Sequence, residues 1–515
     1  MMFPAFRRTL PARPDLDQQK KLAKDLLRAF RAGDREAAAR LRAELPDKAE
    51  LSLTDAQYVL AREYGFSSWR ELKDRIEQQT VAQLPPIERF KRAVHEGDAK
   101  SLRAVLERHA DVRAQIDAPI FSFDSPALVT ISGDHLAAID VLLEFGADPN
   151  RRSGWWAGGF HPLYVKRGAA AERLIAAGAV PDACAAANLD RPDLLTALLA
   201  EDPARVHERG GDGQTPLHFA RSRAVVDLLL GAGADIDARD VDHRSTPAEW
   251  MLGADPASSR NELAAYLVER GTSADIFLAA ALGLTERVRE MVEADPTLLE
   301  LRTGTGEYGE KPPSSYHIYE WTIGHHLSPL QTAAKFGRDE TLAAMERFAS
   351  PTDRLLVACH RGDGDGARAL VAEHPDIMAR LGVERGALAH EAWAANAPAV
   401  GLMLELGFDP AVRGPSGGSA LHCASWMGAS ECVAMILRHG ASRTLLDVRD
   451  TTYGSTPLGW CLHGSRNSGR RGADYVGVAR LLIAAGARVD PTVAEEDLLE
   501  DLHTVIDDAL RGGRR

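Results

Sequence analysis

Residues 211–240 read GDGQTPLHFARSRAVVDLLLGAGADIDARD. Thr215 supplies a hydroxyl that can cap a helix start, Pro216 suits the first helical position, and Leu217 begins an apolar face. Val225, Leu228 and Leu229 then stand at i, i+3 and i+4, the stripe of a second helix. Gly233 falls where that second helix must stop. Glycine enters the left-handed conformation there at little steric cost, which a side chain makes expensive. The stretch therefore predicts two short helices joined by a turn, a unit too small to bury its own apolar face.

The same stop recurs after apolar helices at Gly146, Gly178, Gly271, Gly407, Gly440 and Gly486, at intervals of 32, 55, 38, 136, 33 and 46 when Gly233 is included. The start recurs as TPLHFA (215–220), TPAEWM (246–251), SPLQTA (328–333), SALHCA (419–424) and TPLGWC (456–461). These two signals resemble the ankyrin repeat, a turn, two antiparallel helices and a loop reaching to the next unit. The resemblance is strongest in 211–240, 415–442 and 454–488 and covers 84–491, which at ~33 residues per repeat implies about twelve units. In degenerate units EDPARV, ADPTLL and EHPDIM replace the glycine turn, and a residue before proline avoids the helical region. The implied fold is an all-α ankyrin-repeat solenoid. His218 and His422 take the TPLH position, where the resemblance implies imidazoles bridging backbone groups of adjacent loops. The tail 492–515 contains an amphipathic pattern at 494–512 that would cap the last repeat.

Residues 1–83 read as a separate helical module. AKDLL (23–27), GD (33–34) and the DAQ…AREYGF.SW..LK block (55–73) resemble a small module found ahead of ankyrin arrays in bacterial proteins, which implies no defined activity. Ala61 and Gly65 stand four apart, as in a helix-turn-helix, but the buried positions expected at 71 and 74 are Glu71 and Asp74. The apolar residues are Trp69, Leu72 and Ile76, so the segment reads as a packed hairpin instead.

Among the 515 residues the formal charge is −13, divided as +3 over residues 1–82 and −16 over the rest. An acidic body argues against nucleic acid and anionic membranes as main partners. Five cysteines without CxxC spacing read as reduced, packed thiols, and no apolar signal segment or membrane span is present, so the expectation is a cytoplasmic protein. No phosphate-binding glycine loop, HExxH, GxSxG or zinc-type Cys/His spacing occurs. The expectation is no enzyme, no cofactor and no metal; His317, His325 and His326 cluster in sequence but lack a fourth ligand.

In ankyrin-repeat proteins the inter-repeat loops project as fingers beside a concave helix face, where partners commonly bind. Two fingers here are enriched in aromatic residues. RRSGWWAGGFHP (151–162) carries Trp155, Trp156, Phe160 and His161. TGTGEYGEKPPSSYHIYEWTIGHH (303–326) carries Tyr308, Tyr316, Tyr319, Trp321 and His325. Aromatic side chains dominate interface hot spots, so these residues form the candidate contact set for a protein or peptide. The long loop could instead fold back and seal a repeat junction. The rival function is an enzyme or small-molecule receptor with a site between 153–161, 303–326 and the concave face; a pocket there of several hundred Å3 would favour it. Polar insertions at 253–261 and 464–475 are expected between the helices of their repeats.

Overall fold

Six of the glycine stops close in one geometry in the computed structural model. Gly146, Gly178, Gly233, Gly271, Gly407 and Gly486 have φ between 89° and 110°. The following residue's N–H returns to a carbonyl five positions back, as in Ala147 to Leu142 and Ala179 to Leu174 (3.0 and 2.9 Å), Ala234 to Leu229 (2.9 Å), Thr272 to Leu267, Phe408 to Met403 and Ala487 to Leu482 (3.0 Å each). This bond satisfies a carbonyl that the helix end would otherwise leave open. The structure describes residues 6–489 except 12–13, 15, 49–50, 74, 77–83, 256–258, 440–442, 469 and 471, and beyond 489 it describes Leu502, Val505, Ile506, Ala509 and Leu510. The stop at Gly440 lies outside the described residues, as does most of the tail. Leu502, Val505 and Ile506 are helical and buried in the same core as Leu482.

The chain divides into two compact units. The first holds residues 1–121 and 126–148. It opens with the helices Leu16–Arg31, Arg35–Glu44 and Leu53–Glu63, capped by Asp34 and by a reciprocal Ser52–Asp55 pair. Leu72 and Ile76 are buried and Glu71 is exposed, the register of a packed hairpin. Two helix pairs follow, Pro86–Glu96 with Ala99–Arg108 and Ala127–Thr130 with Leu136–Glu144.

The second unit, residues 122–125 and 149–515, repeats the pair. Its successive pairs are Pro162–Val165 with Gly168–Ala176, Ala183–Asn188 with Pro192–Glu201, Pro216–Phe219 with Arg223–Gly231, Pro247–Met251 with Asn261–Glu269, and Ile276–Leu282 with Thr285–Ala294. After the long loop come Pro329–Lys335 with Asp339–Glu346, Pro351–Arg361 with Gly364–Glu373, Ala387–Trp393 with Ala397–Glu405, Ala420–Trp426 with Ser430–Arg438, and Pro457–Asn467 with Tyr475–Ala485. Many first helices pack on a neighbouring first helix, as Ala183–Asn188 on Pro216–Phe219 and Ala420–Trp426 on Pro457–Asn467, and second on second, as Ala397–Glu405 on Ser430–Arg438, which buries the stripe that one pair cannot cover alone; Pro351–Arg361 instead packs on the second helix Ala397–Glu405. Asp202 and Asp295 end their helices at the Asp-Pro steps and cap the short 3-10 turns that follow. Of the polar insertion 253–261, the described residues up to 260 lie between the helices of their pair, whereas 464–467 of the second insertion continue the first helix to Asn467, so that insertion starts later than expected.

The described residues contain no strand; isolated bridges join Lys311 to Ser314 and Arg413 to Ser419. No described helix is long and apolar enough to cross a membrane.

His218 shows what ties one pair to the next. Its Nδ1 accepts the Thr215 N–H (3.0 Å) and its Nε2–H donates to the Ser245 carbonyl of the following loop (3.1 Å). His422 repeats this with Ser419 (3.2 Å) and Ser455 (3.2 Å). Where histidine is absent, Glu249 accepts from Thr246 N–H (2.6 Å) and Gln331 from Ser328 N–H (3.0 Å). Burial holds the His218 ring down to about 3, so it works as a neutral bridge.

Candidate partner-binding surface of the finger loops

The first aromatic finger is shaped by close backbone approach. Ser153 N–H donates to the Phe160 carbonyl (2.9 Å) and Phe160 N–H to Ser153 Oγ (2.8 Å), closing the loop on itself. A Cβ at Gly158 would lie 2.2 Å from the Gly210 carbonyl oxygen, so only glycine fits against the next loop. Trp155 packs edge-on against Phe123 (ring centroids 5.0 Å) and beside Trp156 (6.1 Å), and Phe160 lies 6.0 Å from Phe123. Trp156 and Phe123 are exposed, while Trp155 and Phe160 are half-buried. His161 is a core residue instead, its Nδ1 accepting the Leu163 N–H (3.0 Å).

The long loop divides its aromatics between inside and outside. Tyr319 is fully buried and Tyr308 nearly so; both phenols donate to Asp275, at 2.9 Å to Oδ1 and 3.0 Å to Oδ2. Phe277 closes the cluster with edge contact to Tyr308 (5.0 Å). Burial, with Glu249 nearby, pushes the Asp275 carboxyl up to about 6, and burial beside Asp275 raises both phenols. His317 is buried with its Nε2 3.4 Å from Glu249. For Tyr308, Tyr319 and His317 the loop is a seal, and these side chains present no surface to a partner. Trp321 has the opposite placement, exposed with its ring 4.7 Å from His243. Tyr316 is half-buried, and its carbonyl accepts His243 Nδ1–H (2.9 Å). The loop is also held by Ser315 N–H to Asp242 (3.0 Å), Ile318 N–H to Ser245 Oγ (3.1 Å) and the Arg244 guanidinium to the Gly309 carbonyl (2.7 Å).

His325 is half-buried, with Nδ1 2.5 Å from Glu320, and the rings of His325 and His326 stack on His390 at 5.2 and 4.0 Å. Burial and the two flanking histidines hold the His390 ring well below its ordinary value.

Sequence reasoning missed three contributors to this surface. Phe123, Val241 and Tyr453 are exposed, each on a loop between repeats. Phe123 gives no warning because its turn uses positive φ at Phe123 and Asp124, without a glycine. Tyr453 could have been found: it lies in a finger directly ahead of the TPLGWC start. A cavity of about 700 Å3 is lined by residues including Val268, Thr272, Leu284, Arg287 and Glu340, none of them from the two aromatic loops.

The sequence profile described as Ankyrin repeat matches residues 212–241 and 416–450. Each match runs from a loop through a helix pair with the TPLH-type start. Protein PhlB of Serratia liquefaciens is 33% identical over 105 residues, 20% of this chain and 44% of PhlB. The chain thus spans under half the length of that relative.

Proposed function

Because this chain is an ankyrin-repeat protein, we propose that it is a non-catalytic interaction protein that binds a protein or peptide along its finger loops. The helix pairs described above number twelve, and each is read as one ankyrin repeat. The observation that carries the proposal is a series of exposed apolar side chains on the fingers: Phe123 (55%), Trp156 (45%), Val241 (42%), Trp321 (58%) and Tyr453 (71%). Large apolar groups left in water on a loop otherwise well hydrogen-bonded gain nothing for the fold, whereas a partner that covers them gains the burial. The acidic charge of residues 83–515 favours a neutral or basic partner over phosphate backbones.

The test is site-specific photo-crosslinking in native lysate. A crosslinking amino acid at 156, 321 or 453 should trap the same protein, and one at Ile175, an exposed apolar position on the second helix of its pair, should not. Equal trapping at Ile175 and at the finger positions would refute the finger-loop reading.

A further inference from the structure

Asp212, Asp242 and His243 bring two carboxylate oxygens and an imidazole nitrogen within 4.8 Å of one another. They come from two successive fingers, and the loops are stitched by Val241 and Asp242 N–H groups donating to the Asp212 carbonyl (2.9 and 3.1 Å). The imidazole is oriented from outside the cluster: Nδ1 faces the Tyr316 carbonyl at 2.9 Å, and a carbonyl only accepts. Nδ1 therefore carries the hydrogen, and Nε2 is the nitrogen turned toward the carboxylates, 3.7 Å from Asp242 Oδ2. Backbone orientation of the distal nitrogen is the arrangement that metal-bound histidines show.

Asp212 supplies an independent observation. It is only 8% exposed. Among the described residues no hydrogen bond with normal geometry reaches its carboxylate. The Trp155 indole N–H faces it but is itself left without a partner. A carboxylate so little exposed and without a well-formed hydrogen bond, set beside a second carboxylate and an imidazole nitrogen, is a donor set that a positive ion between them would satisfy.

We propose that Asp212, Asp242 and His243 bind one divalent transition-metal ion of the Mn2+ or Zn2+ class. Two hard oxygens with one imidazole suit such an ion better than Ca2+ or Mg2+, which take oxygen ligands. Metal–ligand bonds of about 2.1 Å place neighbouring ligand atoms about 3 Å apart, reached here by small side-chain rotations. The ion pins two fingers together. Through Ser315 on Asp242 and Tyr316 on His243 it also fixes the base of the loop that presents Trp321. The other coordination positions are left to water or to a partner's ligand atom.

The test uses the full chain, stripped with a chelator and titrated calorimetrically with MnCl2 and ZnCl2, with MgCl2 and CaCl2 as controls. One Mn2+ or Zn2+ ion should bind per chain, and binding should raise the thermal midpoint. Asp212→Asn should weaken binding at least about tenfold. Absence of binding by both ions, or binding unchanged in Asp212→Asn and Asp242→Asn, would each overturn the proposal. Quenching of tryptophan fluorescence by Mn2+ in the wild-type protein, expected from Trp155, Trp250 and Trp321 nearby, provides a readout that needs no variant.

Discussion

Replacing Asp275 with asparagine should change how stability depends on pH. The carboxyl stands at about 6 in the folded protein against an ordinary 3.8, with burial as the main cause and Glu249 repulsion next. A carboxyl whose folded value is raised holds its proton more tightly when folded. Its stability is therefore fully present below 3.8 and is lost as pH rises through about 6. A tenfold change in proton affinity is about 1.4 kcal/mol, so the loss approaches about 3 kcal/mol at neutral pH. The geometry allows asparagine to take over the hydrogen bonds. Oδ1 accepts both the Leu278 N–H (2.8 Å) and the Tyr319 hydroxyl (2.9 Å), and an amide can do the same. At the Oδ2 position an NH2 group would donate to the Tyr308 oxygen instead of accepting from it. Denaturant unfolding followed by far-UV circular dichroism at pH 4 and pH 8 should show wild type losing about 2–3 kcal/mol relative to Asp275→Asn over that range, mostly below pH 6. A difference between the two proteins that does not vary with pH would refute the assignment of Asp275 as a strained buried acid.

Gly233→Val should cost at least about 1 kcal/mol through its φ of 93° alone, since open space surrounds the added Cβ, and limited proteolysis should then cut first around that repeat. His218→Ala should cost at least about 2 kcal/mol, because it strands the buried Thr215 N–H and Ser245 carbonyl; an unchanged melting midpoint would contradict the bridge. Tyr319→Ala should lose about 3 kcal/mol or more, whereas Trp321→Ala, two residues on, should stay within about 0.5 kcal/mol of wild type by the same measurement.

The helix ends were legible because each rests on a local steric demand: a glycine at positive φ and a Thr-Pro or Ser-Pro start can be read within a few residues. The TPLH histidines were legible for the same reason, since half of each bridge is the histidine's own turn. The split of the long loop was not. Whether Tyr319 or Trp321 turns inward depends on Asp275, 44 residues upstream of Tyr319, and on Ser245, 73 residues upstream of Ile318. Neither partner belongs to a periodic pattern that announces it. Sequence gave equal standing to Tyr308, Tyr319 and Trp321, and burial separates them. The Asp212–Asp242–His243 cluster was invisible for a similar reason, being assembled across two fingers with no ligand spacing in either.

The central claim is that the finger loops bind a partner through aromatic groups that the fold does not need. It is tested most directly by measuring, on the same Trp321→Ala and Trp156→Ala proteins, the unfolding free energy and the equilibrium affinity for the protein trapped by crosslinking. Stability should stay within about 0.5 kcal/mol of wild type while each substitution weakens binding by at least about 1–2 kcal/mol. Lost stability with unchanged affinity in the folded fraction would contradict the claim and make these side chains part of the seal.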